Sequence, residues 1–194
     1  MGVGKPAPIL FDEMEMGFMI CDPKLDPSKL SVEDKIELVR ESDGLLVDVL
    51  EGLKVEGILN LNGCTSLTHL PEGLKIGRDL YLHGCTSLTH LPEGLKVGGD
   101  LYLNECISLT HLPEGLKIGR NLWLRRCTSL THLPERLTVE GNLNLCGCTS
   151  LTHLPEGLEV GRGLYLNGCT SLTHLPEGLK VGGGLYLPEG LKQK

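Results

Sequence analysis

From Leu50 onward, leucine recurs on a regular beat. The string G-L-x-[VI]-x-x-x-L-x-L-x-x-C-x-S-L-T-H-L-P-E returns every 21 residues, and full copies close at Glu72, Glu93, Glu114, Glu135, Glu156 and Glu177. A seventh copy starts at Gly178 and runs through Leu185-Tyr186-Leu187. It then passes directly to Pro188-Glu189, omitting the cysteine and histidine segment. Within each copy a Leu-x-Leu unit, such as Leu80-Tyr81-Leu82 or Leu101-Tyr102-Leu103, alternates apolar and polar residues, which is strand periodicity. Glycine and Asn or Asp flank this unit and proline ends the segment after it, so the repeat predicts no helix. A strand of about three residues cannot bury its leucines alone, so each turn must stack on its neighbours in register, about 4.8 Å apart. The pattern predicts a solenoid of six full turns and a truncated seventh, forming a rod on the order of 35 Å long.

The first 49 residues lack this beat. In Leu30-Ser31-Val32-Glu33-Asp34, Ser31 is placed as an N-cap with Asp34 three residues on and Leu30 as a staple. Val32, Ile36 and Val39 then follow along one face, predicting a helix that ends near Gly44. The chain therefore divides into an irregular leader over residues 1–27, a helical N-terminal cap over 28–49 and a repeat domain over 50–194. The helix is placed to cover the open end of the first leucine layer, as the ends of repeat arrays require. No matching cap sequence follows Leu191, so that end is expected to be weakly protected or to pair end to end with a second copy.

Composition adds constraints. The 194 residues include 26 glycines and 11 prolines with only 4% aromatic residues, the signature of a repeat rather than of a mixed core. Six of the eight cysteines (Cys64, Cys85, Cys106, Cys127, Cys148 and Cys169) lie 21 residues apart, so repeat phase explains them better than a disulfide framework does. Of the net charge of -7, -6 lies in residues 1–50, and no basic footprint for nucleic acid is present. No apolar run approaches the roughly 18 residues of a membrane span. The opening Met1–Leu10 is too short and too poor in positive charge for a secretory signal, and Pro6 stands where myristoylation wants Ser or Thr. The expectation is a cytoplasmic chain, or one secreted by a signal-peptide-independent route.

The units L-x-L-x-x-C-x-x-L and the following L-P, as in Leu80 to Leu95, resemble the leucine-rich repeat family over residues 50 to about 191. Similar G-C-x-S-L-x-x-L-P copies occur in plant disease-resistance receptors, and similarly short L-P-E copies in secreted bacterial effectors. One departure is Gly77 or Gly98 in place of the usual leucine three residues before Leu-Tyr-Leu. That V-x-G-x-L-x-L variant, clearest from Val139, is similar to the L domains of growth-factor receptors. The resemblance implies a right-handed coil of parallel β-sheet whose convex side is extended or β-like, and a partner-binding concave sheet. It also implies that the repeated cysteine is a small buried group inside the turn, although neighbours about 5 Å apart are near enough for disulfides on distance alone. Cys146, outside that column, is expected to be exposed and reactive.

The histidines His69, His90, His111, His132, His153 and His174 are placed between inward leucines and should form an outward ladder. Adjacent imidazoles about 5 Å apart could share a metal ion, but a repeated slot copied with its surroundings accounts for them as well. The glycines make no phosphate loop, and no Ser/His/Asp or paired-carboxylate set stands out, so no catalysis, cofactor or metal is expected. The copies differ most at the outward slots of the strands. There the candidate partner-binding residues are Asp79, Tyr81, His83, Asp100, Tyr102, Asn121, Trp123, Arg125, Asn144 and Tyr165. Tyr, Trp and Arg are the residues that most often anchor protein interfaces, although outward aromatic residues also stack across strands and stabilise a sheet. Protein binding is the function these residues favour. The alternatives are a targeting domain of a bacterial effector, such as a ubiquitin ligase lacking its catalytic part, and a structural or self-assembling array.

Overall fold

A computed structural model describes residues 27–191, and within them two parallel β-ladders run the length of a solenoid of about six turns. The irregular leader predicted over 1–27 lies outside the described residues apart from Pro27. One ladder has seven strands of two residues, from Leu59–Asn60 through Leu80–Tyr81 to Leu185–Tyr186, paired so that each leucine sits on the leucine of the next turn. Each turn donates forward across this ladder: Leu80 N–H reaches Asp100 O at 2.9 Å and Leu82 N–H reaches Tyr102 O at 2.8 Å. The leucines on its inner side, from Leu59 and Leu61 to Leu164 and Leu166, are fully buried. Every full turn adds further leucines and one thiol to the same continuous core, as Leu74, Leu88, Leu91 and Cys85 do in the second.

The second ladder is formed by residues just upstream, Lys-Val or its equivalent, and no periodicity in the sequence predicts it as strand. Each of its strands is also two residues long, with an exposed first residue and an apolar second one that is buried in all but the last strand. The cause lies in the next residue. Gly77, Gly98 and Gly119 pass so close to the preceding turn that an added Cβ would fall 2.3, 2.1 and 2.0 Å from the carbonyl oxygen of Glu56, Gly77 and Gly98 respectively. Only glycine lets the backbones meet there, and in return Gly98 N–H donates to Ile76 O at 2.9 Å.

Turn 5 breaks this rule, and the ladder breaks with it. Glu140 occupies the glycine position, and the second ladder divides there into a four-stranded sheet ending at Lys117–Ile118 and a three-stranded sheet starting at Thr138–Val139. Leu116 and Ile118, on the near side of the break, are 8% exposed, against 2–3% for Leu95 and Val97 one turn earlier. The same string, Val-Glu-Gly-x-Leu-Asn-Leu, opens turn 1 at Val55 and turn 5 at Val139. In turn 1 the glutamate is harmless, because no repeat precedes it. Turn 5 is thus a first turn placed in the middle of the array, and the solenoid consists of two blocks joined through the continuous leucine ladder.

At the N-terminal end, the helix α1 spans Val32–Glu41 and carries the predicted capping box between Ser31 and Asp34. It stops three residues before Gly44, whose backbone lies against Leu67. Val39 and the short 3-10 segment Val47–Leu50 complete the core of the first turn. Asp43 fastens this cap: its carboxylate accepts Thr65 N–H at 2.6 Å, Ser66 N–H at 2.9 Å and Thr65 Oγ1–H at 2.9 Å. Burial alone would raise its pKa, but these hydrogen bonds outweigh burial and hold the carboxyl below the usual aspartate range. At the opposite end Leu175, Leu179, Val181 and Leu185 are only partly buried and line a depression of about 620 Å³.

The glycine constraint predicts opposite outcomes for two substitutions. Glu140→Gly restores the close approach, and two new backbone hydrogen bonds offset the entropy of glycine, for a gain of about 1 kcal/mol. Gly98→Ala drives a methyl into the Gly77 carbonyl and costs about 1–3 kcal/mol. Urea unfolding measures both, and amide hydrogen exchange at residues 138 and 140 should slow in Glu140→Gly.

Candidate interaction face

Outward positions of the leucine ladder form three rows, because side chains along each strand alternate between core and surface. All ten predicted residues lie on these rows, but the rows differ in what they do. In the first row each Asp and Asn side chain hydrogen-bonds the backbone of the following turn. Asp79 Oδ1 accepts Asp100 N–H at 2.8 Å, Asp100 Oδ1 accepts Asn121 N–H at 3.0 Å, Asn121 Oδ1 accepts Asn142 N–H at 2.7 Å, and Asn142 Oδ1 accepts Gly163 N–H at 2.9 Å. Asp79, Asp100 and Asn121 therefore hold the turns together. The repetition of Asp or Asn here was the signal for that role, since both offer an acceptor at the same reach.

The second row is an aromatic stack with one interruption. Tyr81 and Tyr102 lie 4.5 Å apart between ring centroids, Tyr102 and Trp123 lie 6.1 Å apart, and the planes are parallel to within 5°. Tyr165 stacks at 4.7 Å on Tyr186, a residue the sequence reading had not singled out. Asn144 separates the two groups. The tyrosines lean back over the first row: Tyr102 OH donates to Asp100 Oδ2 at 3.0 Å, and a Cβ on Gly163 would fall 2.8 Å from the Tyr165 ring. Burial first, then the hydrogen bond and charge of Asp100, push the Tyr102 hydroxyl well above its ordinary pKa. Among the described residues, Trp123 Nε1 is a buried polar atom with no hydrogen-bond partner.

The third row is the most open. Asn62 Oδ1 accepts His83 N–H at 2.7 Å and Asn104 Oδ1 accepts Arg125 N–H at 3.0 Å, so this row too ties turn to turn. The Arg125 guanidinium is exposed and has no ion pair among the described residues. Beside it, Arg126 pairs with Glu105 at 3.4 Å across one turn. Both adopt left-handed backbone, φ 60° and 63°, in a slot that is glycine in the other full turns, a strain of roughly 1 kcal/mol each. Ile107, 45% exposed, adds an apolar residue where the other full turns have threonine. The departures in turns 3 and 4 thus gather around Trp123 and Arg125.

The histidine ladder stands on the surface as the spacing predicts. His69 and His90, His111 and His132, and His132 and His153 stack with centroids 6.1, 6.4 and 6.1 Å apart and ring planes nearly parallel. Threonine fixes the imidazoles: Thr131 Oγ1 donates to Thr110 O at 3.4 Å and therefore accepts from His132 Nδ1–H at 2.8 Å, leaving Nε2 facing out. Among the described residues no group of three or more His, Cys, Asp or Glu is arranged to hold a metal ion. No helix among them is long and apolar enough to cross a membrane.

The cysteine column is reduced, and its thiols have structural partners. Cys85, Cys106, Cys127, Cys148 and Cys169 each donate S–H to the carbonyl of a leucine in the preceding turn, at 3.0–3.1 Å. Desolvation raises every thiol in the column, with Cys85, Cys106 and Cys148 pushed up to about 12 and Cys169 to about 11. Cys146 sits outside the column, half-buried, with Sγ 3.9 Å from Asn167 Oδ1.

The class these observations define is a parallel β-solenoid with a 21-residue turn and a short N-terminal helix. Comparison with protein-family models, with curated proteins and with solved structures returns no match.

The thiol geometry predicts selective alkylation. Iodoacetamide at neutral pH should modify Cys146 in the native protein, while Cys85, Cys106, Cys127, Cys148 and Cys169 react only after denaturation, as read by peptide mass mapping. Comparable native labelling of Cys106 or Cys127 contradicts a buried, hydrogen-bonded column.

Proposed function

We propose that the chain is a leucine-rich-repeat-like module that binds a protein partner on the outward face of the leucine ladder, and that it carries out no chemistry of its own. The observation that carries this reading is the pairing of Trp123, on its strand, with Arg125 in the turn just after it. The first is an aromatic side chain with an unpartnered indole N–H, and the second an exposed cation without an ion pair. Side chains of these types, offered next to each other on a rigid sheet, are what interface hot spots are made of. The strained Glu105 and Arg126 and the exposed Ile107 surround them, in an array whose core positions are otherwise copied almost without change. Charge on the three rows is mixed, Asp79 and Asp100 against Arg125, which suits a protein partner and not a nucleic acid. A cytoplasmic setting, or delivery as an effector, accords with the free buried thiols.

A second reading, end-to-end pairing with another copy, rests on the partly buried Leu175, Leu179, Val181 and Leu185. Light scattering over a concentration series separates it from a monomeric binder.

Affinity capture with wild type and with Trp123→Ala/Arg125→Ala tests the main reading. The double variant should lose a wild-type partner by about 2 kcal/mol or more, roughly thirty-fold, while its circular dichroism is unchanged. Equal recovery of every partner sinks the proposal.

A further inference from the structure

The interruption of the aromatic stack at Asn144 has the dimensions of one missing ring. Consecutive turns stand about 4.8 Å apart, so the strand positions of Trp123 in turn 4 and Tyr165 in turn 6 are two rungs, about 9.6 Å, apart. A single planar ring halfway between them would lie about 4.8 Å from each. The tyrosine pairs use that spacing, 4.5 Å between Tyr81 and Tyr102 and 4.7 Å between Tyr165 and Tyr186, and Trp123 stacks at 6.1 Å on Tyr102. The Asn144 side chain does not take the ring's place. Its Oδ1 turns forward to accept Cys146 N–H at 3.0 Å, whereas the tyrosine rings lean the other way, over the first row. The floor of the slot is Asn142, held by its bonds to Asn121 and Gly163.

Asn144 Nδ2 has no partner among the described residues and the Arg125 guanidinium stands exposed one turn earlier; both are donors and suit an occupant with acceptors beside its ring. Across the outward rows of turns 4, 5 and 6 the residues are Asn121, Trp123, Arg125, Asn142, Asn144, Cys146, Gly163, Tyr165 and Asn167, and Arg125 is the only charged side chain among them. We infer that the slot between Trp123 and Tyr165 receives one aromatic side chain of the protein partner, stacked as the missing rung, from a segment in which that residue is flanked by carboxylates that reach Arg125. The inference rests on the binding face proposed above and names its central contact.

Trp123 is the only tryptophan in the chain, so its fluorescence reports directly on the slot. The test titrates the full chain with three short peptides, acetyl-Glu-Tyr-Glu-amide, acetyl-Lys-Tyr-Lys-amide and acetyl-Glu-Ala-Glu-amide, exciting beyond tyrosine absorption. The acidic tyrosine peptide should change Trp123 emission saturably and bind about five-fold or more tighter than the basic one, while the alanine peptide gives no saturable change. Asn144→Tyr supplies the rung from within and should abolish the response without unfolding the ladder. Arg125→Gln should bring the acidic and basic peptides within about two-fold of each other while tyrosine remains necessary. An unchanged titration in Asn144→Tyr, or no saturable response to either tyrosine peptide, overturns the slot. If that happens while Trp123→Ala/Arg125→Ala still loses a captured partner, the slot falls and the binding face stands.

Discussion

Everything in this solenoid depends on how closely one turn's backbone approaches the next. The carbonyl oxygen of each turn comes so near the following glycine that a Cβ there would sit 2.0–2.3 Å away, well inside contact. That proximity permits a second β-ladder with strands only two residues long, because the N–H beyond each strand reaches back to the previous turn. Where Glu140 stands instead, the second ladder parts, and turn 5 is held to turn 4 by the leucine ladder and by single bonds such as Gly141 N–H to Arg120 O and Thr152 N–H to Thr131 O. One side chain thus converts a uniform array into two blocks. The recurrence of Val-Glu-Gly-x-Leu-Asn-Leu at Val55 and Val139 accounts for the choice, since a glutamate costs nothing where no turn precedes it.

The same turn-by-turn logic sorts the surface. A position repeated for a structural reason finds the same partner in every turn: Asp and Asn of the first row cap the next turn's N–H, threonine fixes the histidine beside it, and cysteine caps a leucine carbonyl of the preceding turn. Position by position these bonds are worth about 1 kcal/mol each, but they recur in every turn and enforce one register. Around turns 4 to 6 the Trp123 indole N–H, the Arg125 guanidinium and the Asn144 side-chain N–H stand outside those partnerships. The proposed binding face draws on these groups.

Much of this was legible beforehand, for identifiable reasons. The 21-residue beat of leucines specifies stacking, layer content and the absence of helix in the repeat, because only one register buries every leucine. Ser31 and Asp34 announce the start of α1, since the capping box is a local device that needs no tertiary information. The Lys-Val strands were not legible, because a two-residue strand has no periodicity and is stabilised by the glycine after it and not by its own residues. Asp79, Asp100 and Asn121 looked like variable contact residues, yet Asp and Asn are interchangeable as acceptors and the variation hid a common job. The interruption at Asn144 was visible as a letter but gained meaning only once Trp123 and Tyr165 were each seen to end a stack of parallel rings on either side of it.

The central claim is that the register of 21 residues, and not any single contact, holds the molecule together. The most direct measurement compares two internal deletions by urea unfolding followed with circular dichroism. One removes residues 85–105, a whole turn, and the other removes residues 85–104, one residue fewer. The account predicts that the whole-turn deletion unfolds in a single transition at a moderately lower urea midpoint, whereas the shorter one places every downstream leucine out of register and unfolds far earlier or in two steps. Equal behaviour of the two deletions would contradict it.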